Sequence, residues 1–550
     1  MNISNPIIVT KSGPIKGRKK VTDINVEYYS FQNIPYVKTF EGDHVFKDPE
    51  IHEPWTEILD CTSEGPAFFN IDPFRSEENL CEGSLKSLGI NIFTPDLSPS
   101  KPLPVLIFIH GGAFINGSSS TTIYGPDYLI ENNIIMVSFN YRLNIYGFLS
   151  FDDTNLNIPG NAGLKDQNLA LKWIKDNIEV FGGDSNNITL CGQSAGGASV
   201  NYHLISPLSC NLFNRAIIMA GSAFCPWASI PLNFEVYMKK LVQQLGLNGD
   251  ENDEIIFRAI CEADPEELLR STLSIVNFED KFYGPLLLSP FLPRIEKYDN
   301  ANRFLPESLK KLSENAWSQD IDVMIGGCSN EGLFYYLCDP TDDDLKKVDD
   351  DNSLLLPLDL QKGVDSDKKF EKGKSLKETY FGKDGTVSKE KANEYCKYMA
   401  DKITWFAKYQ TILHRSKGDG KTFLYHIDLP PSNDVPEYYD HGRKLCKIPH
   451  RDGMAHAEEL PLLFKTQIAR RFQEGDDHYN SWRKFMKIFA NFIKTGNPNN
   501  ETIDEGQHWD PIPKNDMNNL ICYEMNTANT WHMSQLENLT KLKIWSDLYE

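Results

Sequence analysis

Short runs of β-branched and other apolar residues alternate along this chain with stretches whose apolar positions repeat at helical spacing. The runs at 105–109, 134–140, 188–191, 216–219, 323–325 and 423–427 read as strands, near-continuously apolar as strands buried on both faces are. Between them, 162–180 carries Leu164, Leu169, Leu171, Trp173, Ile174 and Ile178 as a broad apolar stripe, which predicts a helix. Strands of this kind separated by helices predict the α/β class, a mostly parallel twisted sheet covered on both faces. Ile7-Ile8-Val9-Thr10 and Ile15-Lys16-Gly17, around Ser12-Gly13-Pro14, predict an edge hairpin. The stretch 342–373 is rich in Lys and Asp and broken by Leu354-Leu355-Leu356-Pro357; it reads as a surface excursion entering a helical cap. The acidic clusters Asp342-Asp343-Asp344 and Asp349-Asp350-Asp351 read as solvated loop, and no internal repeat is present.

At 550 residues, with 40% hydrophobic and 11% aromatic residues, the chain can bury a large core. That length suits several domains or one large α/β domain with insertions. The reading adopted is one domain over 1–550, with cap insertions at roughly 230–320 and 342–420. A net charge of −21 argues against nucleic acid or an anionic membrane as partner, since phosphates would be repelled. Met1-Asn2-Ile3-Ser4-Asn5-Pro6 shows no basic region before an apolar core, and no run of 18 apolar residues exists. Eleven scattered cysteines without C-x-x-C suit mostly free thiols. The expected location is the cytosol, or outside the cell if Met1 is not the native start. Sequons at Asn116, Asn187, Asn500 and Asn538 are of a kind common by chance.

Gly192-Gln193-Ser194-Ala195-Gly196 carries the chemistry. It stands between the apolar run 188–191 and Gly197-Ala198-Ser199-Val200, which can start a helix. A G-x-S-x-G between strand and helix is a nucleophile elbow, a sharp turn that lifts a serine hydroxyl clear of its own backbone. Ser194 is therefore the candidate acyl-transfer nucleophile. With 36 glycines in the chain the pentapeptide alone could arise by chance, so the remaining machinery must also be present. Directly after the run 105–109, His110-Gly111-Gly112-Ala113-Phe114 has the form of an oxyanion loop, whose backbone N–H groups meet developing charge. The expected donors are the N–H groups of Gly111, Gly112 and Ala195, and His110 is read as structural.

A serine hydroxyl needs a histidine base and a carboxylate to orient it, in the chain order Ser, acid, His. Among the later histidines, His456 stands in Gly453-Met454-Ala455-His456-Ala457-Glu458-Glu459-Leu460, with His441 and His450 as competitors. Glu331, in Gly326-Gly327-Cys328-Ser329-Asn330-Glu331-Gly332, follows a strand end; Asp322 and the acids near Asp342 compete with it. His450-Arg451-Asp452 looks like a kinase fragment, but no matching Asn, Gly-rich loop or lysine motif accompanies it. No metal or cofactor is implied.

The chain resembles the type-B carboxylesterase/cholinesterase family, most closely the insect carboxylesterases that include intracellular α- and β-esterases. Beyond the elbow, the oxyanion loop and the Glu331 and His456 segments, the landmarks are Phe31-Gln32-Asn33-Ile34-Pro35-Tyr36, Tyr124-Gly125-Pro126-Asp127 and Asn140-Tyr141-Arg142. They continue with Pro159-Gly160-Asn161-Ala162-Gly163-Leu164-Lys165-Asp166-Gln167, Phe181-Gly182-Gly183-Asp184 and Gly496-Asn497-Pro498, so the likeness covers nearly the whole length. The resemblance implies the α/β-hydrolase fold with a helical cap, the nucleophile on Ser194, the acid on Glu331 and the base on His456. It implies a serine carboxylesterase that hydrolyses hydrophobic carboxylic esters through an acyl-enzyme. Its small-molecule partners are ester substrates, with organophosphate and carbamate inhibitors at Ser194, and its role is detoxification or sequestration of xenobiotic and insecticide esters. Phe224-Cys225-Pro226-Trp227-Ala228 is similar to the acyl-pocket region of insect carboxylesterases, so Trp227, with Phe114, is a candidate pocket residue; core packing is the other reading of Trp227.

The chain departs from the family pattern at several places. Gln193 replaces a usual Glu, removing a negative charge near the base. Val45-Phe46 replaces an Arg-Phe pair, which leaves Glu82 without its usual partner, while the pair Arg142 and Asp166 is kept. Ser84 stands where a cysteine would bridge to Cys61, with Cys81 three residues earlier, so that disulfide is in doubt. Ala220 replaces a buried serine that supports the base in relatives, for which a modest effect is expected. Cholinesterase activity is disfavoured because 62–80 has Phe68, Phe69 and Phe74 but no Trp for a choline cation. Juvenile hormone esterase is the nearer rival, since those enzymes favour Gly-Gln-Ser-Ala-Gly; the missing Arg-Phe pair and signal peptide count against it. From another class, a non-catalytic adhesion protein of this fold is disfavoured by the intact triad.

Overall fold

The computed structural model describes the chain except for residues 1–4, 41, 74, 230–233, 277–287, 334–340, 358–359, 361–364, 384, 430–452, 468, 500–507, 515, 527–530 and 550. His441, the His450-Arg451-Asp452 triplet and the Asn500 sequon therefore lie outside the described residues.

The apolar runs assemble into one eleven-stranded sheet. In spatial order its strands are His532–Gln535, Ile521–Asn526, Thr422–Asp428, Asp322–Cys328, Arg215–Met219, Gly183–Gln193, Leu103–Ile109, Ile135–Phe139, Gly89–Thr94, Glu27–Pro35 and Arg18–Val21. From Ile521–Asn526 to Ile135–Phe139 every pairing is parallel; the outer pairings on both sides are antiparallel. All six strands expected from apolar runs lie in the parallel part, each extended by one or more residues except 134–140, which pairs over Ile135–Phe139. The Ile7–Thr10 and Gly13–Lys16 hairpin also forms, and Leu59–Asp60 extends it.

Each strand feeds two cores because side chains alternate across the sheet. Val105, Ile107 and Ile109 enter one apolar cluster, Leu106 and Phe108 the other. The first cluster includes Leu171 and Ile174 of the helix Ala162–Asn177 and Val200 of the helix Ala195–Ile205. The second includes Phe485, Phe489 and Ile493 of the helix Tyr479–Thr495. Helices thus cover both faces, which is why the central strands have no polar face. The stripe expected over 162–180 is α-helical to Asn177 and then tightens into the 3₁₀ turn Ile178–Phe181, closed by Gly182 with φ 83°.

The 342–373 stretch differs from its expected form. Asp342-Asp343-Asp344 is the first turn of the helix Asp342–Asp350, with Thr341 and Asp344 forming a reciprocal capping box. Acids are favoured there because they face the unpaired amides and positive end of the helix. Leu345, Val348 and Leu355 are buried, and the helix Ser366–Phe381 follows with Leu376 inward, so this segment packs on the body of the protein.

One buried polar link ties distant segments together. Arg142 and Asp166 are both fully buried and joined at 2.7 and 2.8 Å, and Arg142 also donates to the Val45 and Lys47 carbonyls. Glu82, expected to be unpaired, instead accepts from Arg75 at 2.5 Å at the surface, a partner seven residues earlier in the chain. Cys61 and Cys81 are free thiols, as are the other described cysteines.

Candidate active site

Ser194 stands at the carboxyl end of the Gly183–Gln193 strand, where the chain turns directly into the Ala195–Ile205 helix. Its φ of 57° and ψ of −123° are foreign to ordinary L-residues, and its N–H is anchored on the Met219 carbonyl at 2.9 Å. The flanking glycines are required by contact. A Cβ on Gly192 would lie 2.3 Å from the Gly196 oxygen, and one on Gly196 would lie 2.0 Å from the Ile109 oxygen. The elbow is therefore wedged between its own helix and the end of the Leu103–Ile109 strand.

The loop after that strand brings its amides to the same place. A Cβ on Gly111 would sit 3.0 Å from the Ser194 Cβ. Gly112, Ala113 and Phe114 have successive positive φ values of 111°, 52° and 62°. The turn they form uses the Gly112 carbonyl for the N–H groups of Ile115 and Asn116. Consecutive amides before such a turn are left facing outward, as in an anion-holding nest. The Ala113 amide belongs to this same turn, beside the sequence-derived candidates Gly111 and Gly112. His110 is buried, its Nδ1 2.8 Å from the Gly111 oxygen and its ring stacked on Tyr141, and burial lowers its pKa to about 4. It is a neutral structural residue, as expected.

Glu331 and His456 meet. Nδ1 of His456 lies 2.5 Å from Oε2 of Glu331, which is fully buried, while Oε1 accepts the Cys328 N–H at 2.9 Å. Two hydrogen bonds lace the acid segment to the base segment: Asn330 N–H to the Met454 carbonyl and Met454 N–H to Ser329 Oγ. The other nitrogen of His456, Nε2, lies 3.3 Å from Nε2 of Gln193, the residue before Ser194. The imidazole therefore spans from the buried carboxylate to the elbow. Asp322 begins its strand at the opposite end, beside Arg215, and the acids near Asp342 cap a helix, so neither takes this place.

Charge around Glu331 is unusually dense. Burial pushes its carboxyl up, but His456 and then Lys408 outweigh that and hold it below the usual carboxylate range. Lys408 is fully buried, with Nζ 3.8 Å from Glu331 Oε1. Glu459, three residues after His456, is also fully buried; it accepts the Cys328 thiol at 2.9 Å, and burial followed by repulsion from Glu331 raises it to about 7. Both residues were missed in the sequence. Their one signal is a charge inside an apolar run, Lys408 among Trp405, Phe406, Ala407 and Tyr409, and Glu459 before Leu460.

Trp227 and Phe114 are both in the larger core cluster. The Trp227 indole N–H donates to the Ile403 carbonyl at 2.9 Å, and Phe114 packs edge-on against Phe148. A cavity of about 960 Å³ lies beyond the His110–Phe114 loop, lined by Asn116, Gly117, Tyr124, Asp72, Arg75 and Glu82 among others. Ser194, Glu331 and His456 are not among its lining residues.

A parallel sheet clad by helices on both faces, with a serine elbow at a central strand end, is the α/β-hydrolase fold. Over 99% of the chain the fold matches the crystal structure of juvenile hormone esterase from Manduca sexta with OTFP covalently attached, at a TM-score of 0.83, 27% identity and full coverage of that chain. Esterase B1 of Culex pipiens is 35% identical over 91% of this chain and 90% of its own length. Juvenile hormone esterase of Tribolium castaneum is 30% identical over 90% of this chain and 84% of its own. The carboxylesterase family model matches residues 4–545. The chain belongs to the carboxylesterase family and is a carboxylic ester hydrolase.

Proposed function

We propose that the chain hydrolyses hydrophobic carboxylic esters through an acyl-enzyme on Ser194, removing xenobiotic or insecticide esters by turnover or by covalent sequestration. The observation that carries this reading is the His456 imidazole, bonded through Nδ1 to buried Glu331 and reaching with Nε2 to the elbow. With the Nδ1 proton donated to the carboxylate, Nε2 carries a lone pair and serves as acceptor, at the position where it faces the Gln193 side-chain amide at 3.3 Å. It takes the proton of Ser194 Oγ as that oxygen bonds the ester carbonyl carbon. The amides of Gly111, Gly112, Ala113 and Ala195 are the candidate donors to the oxyanion, each such donor being worth about 10²–10³ in rate. The alcohol leaves with the proton from His456. Water then gives a proton to the same nitrogen, attacks the acyl group and frees Ser194 and the carboxylic acid.

Phe114 and Trp227, the sequence-derived pocket residues, are both packed into the core, which favours the core-packing reading of Trp227. The helices within 230–320 and 342–420 form the cap in this reading. A chain-length series of p-nitrophenyl esters, run with wild type and Ser194→Ala, tests the mechanism. Turnover should fall to background in the variant and peak at medium acyl length; comparable turnover without the hydroxyl would overturn the assignment.

The second reading, juvenile hormone esterase, is favoured by the Manduca sexta and Tribolium castaneum likenesses and by Gln193. Efficient and selective hydrolysis of juvenile hormone over p-nitrophenyl esters would replace the general reading with this one.

A further inference from the structure

The fold buries an ammonium group where nothing in the apolar core calls for one. Lys408 lies in the first turn of the helix Phe406–Arg415, directly after the π-helical turn Asp401–Trp405. Its side chain is 1% exposed, and Nζ has no hydrogen-bond partner among the described residues. Nζ lies 3.6 Å from the centroid of the Trp405 ring and 3.8 Å from Oε1 of Glu331. An ammonium taken out of water costs several kcal/mol unless an opposite charge compensates it. A Met of similar length would fill the same space without that cost, so packing alone does not account for the lysine.

The surroundings leave a site for this pair. A Cβ on Gly327 would lie 2.4 Å from Glu331 Oε1, 2.6 Å from Lys408 Nζ and 3.5 Å from the Ala220 Cα. Carboxylate, ammonium and the Ala220 backbone therefore converge on one point that glycine leaves open. Other titratable groups feel the same charge. They are the Cys225 thiol, Cys328 at the end of the Glu331 strand, Glu459 on the His456 segment and Asp401 on the π-helical turn. Asp401 is held elsewhere, by Tyr380 and Asn538, and Glu459 by Cys328. Glu331 is the carboxylate within ion-pair distance of Lys408 among the described residues.

We propose that Lys408 is a positioning residue for ester hydrolysis: its ammonium holds Glu331 as a carboxylate and fixes the orientation in which Oε2 faces Nδ1 of His456. The inference rests on the triad reading above, and it assigns to Glu331 a second charged partner, at Oε1, beside the Cys328 N–H. Burial works against the charged lysine and Glu331 works for it, so each ion of the pair sustains the other. Lys408 does not touch substrate; it acts through Glu331.

The test is steady-state kinetics on a p-nitrophenyl ester across pH, with Lys408→Met alone and in the Glu331→Gln background. Loss of the ammonium should lower kcat by about 10–100-fold with KM within about twofold, the pattern of an interaction that serves the chemical step. The acid limb of kcat/KM should move up by about one pH unit, because a neighbouring positive charge no longer opposes the imidazolium. In the Glu331→Gln background the same substitution should cost less than about twofold more, since the group it acts through is already neutral. An unchanged kcat and acid limb, or an equal loss in both backgrounds, overturns the proposal. If Lys408→Met does not fold, the doubly neutral Lys408→Met/Glu331→Gln chain should fold; failure of both assigns Lys408 to the core alone. Activity surviving in Ser194→Ala would instead sink the triad reading, whatever Lys408 does.

Discussion

Ser194 holds a backbone conformation that costs an L-residue about 1–3 kcal/mol, and the elbow maintains it through the Met219 anchor and the tight glycine contacts. Ser194→Gly should relieve that strain and, after the extra entropy of an unfolded glycine, stabilise the chain by about 1 kcal/mol over Ser194→Ala. Urea melts of the two inactive variants check this; equal midpoints would mean the turn is unstrained. Glu459 gives a second expectation. Burial first, and Glu331 next, raise it to about 7, so the folded chain keeps a proton that the unfolded chain releases near its ordinary pKa of about 4.5. Between those values the native state binds more protons, and stability must fall as pH rises through the window. Glu459→Gln should match wild type near about pH 4 and melt several degrees higher near about pH 8. Parallel curves for the two proteins at all pH would contradict it. At Ala220, where a supporting serine was expected to be missed, the Lys408 ammonium stands close by.

Among the elements, the central strands were legible because burial on both faces leaves an unbroken apolar run, as in 216–219. The antiparallel strands Glu27–Pro35 and Gly89–Thr94 were not, since Ser30, Gln32 and Asn91 interrupt them; Ser30 and Gln32 bond each other locally, while Asn91 is met by Asn33 and Ser119, partners the fold brings up. The 342–350 helix was read as loop because acid density outweighed its spaced apolar pair, Leu345 and Val348. Its capping box is the deciding feature, worth about 1 kcal/mol. Thr341→Ala should speed hydrogen exchange in the first turns of this helix while leaving kcat intact. Unchanged exchange there would show that tertiary packing alone holds the turn.

At the scale of the molecule, the Ser, Glu and His positions could be read from order and motif, because each sits just past a strand end or on a loop of recognisable composition. What could not be read is the charge that surrounds them, which depends on side chains from separate elements meeting in the core. Arg142 and Asp166 show the same dependence. Their fully buried pair joins the 45–47 segment to the Ala162–Asn177 helix, so Asp166→Ala should cost about 3–5 kcal/mol by stranding the guanidinium. A denaturation midpoint within error of wild type would refute that estimate.

The lacing of Asn330 and Ser329 to Met454, together with the Gly125–Lys465 bridge to the segment beyond His456, sets a schedule for the chain as it is made. The elbow leaves the ribosome tens of seconds before the segment that carries the imidazole, at ordinary rates of synthesis. For that interval the nascent protein has its serine and no base to activate it. Under the proposed mechanism, a chain that stops before that segment has the serine without its base and should turn over esters far more slowly than the full chain.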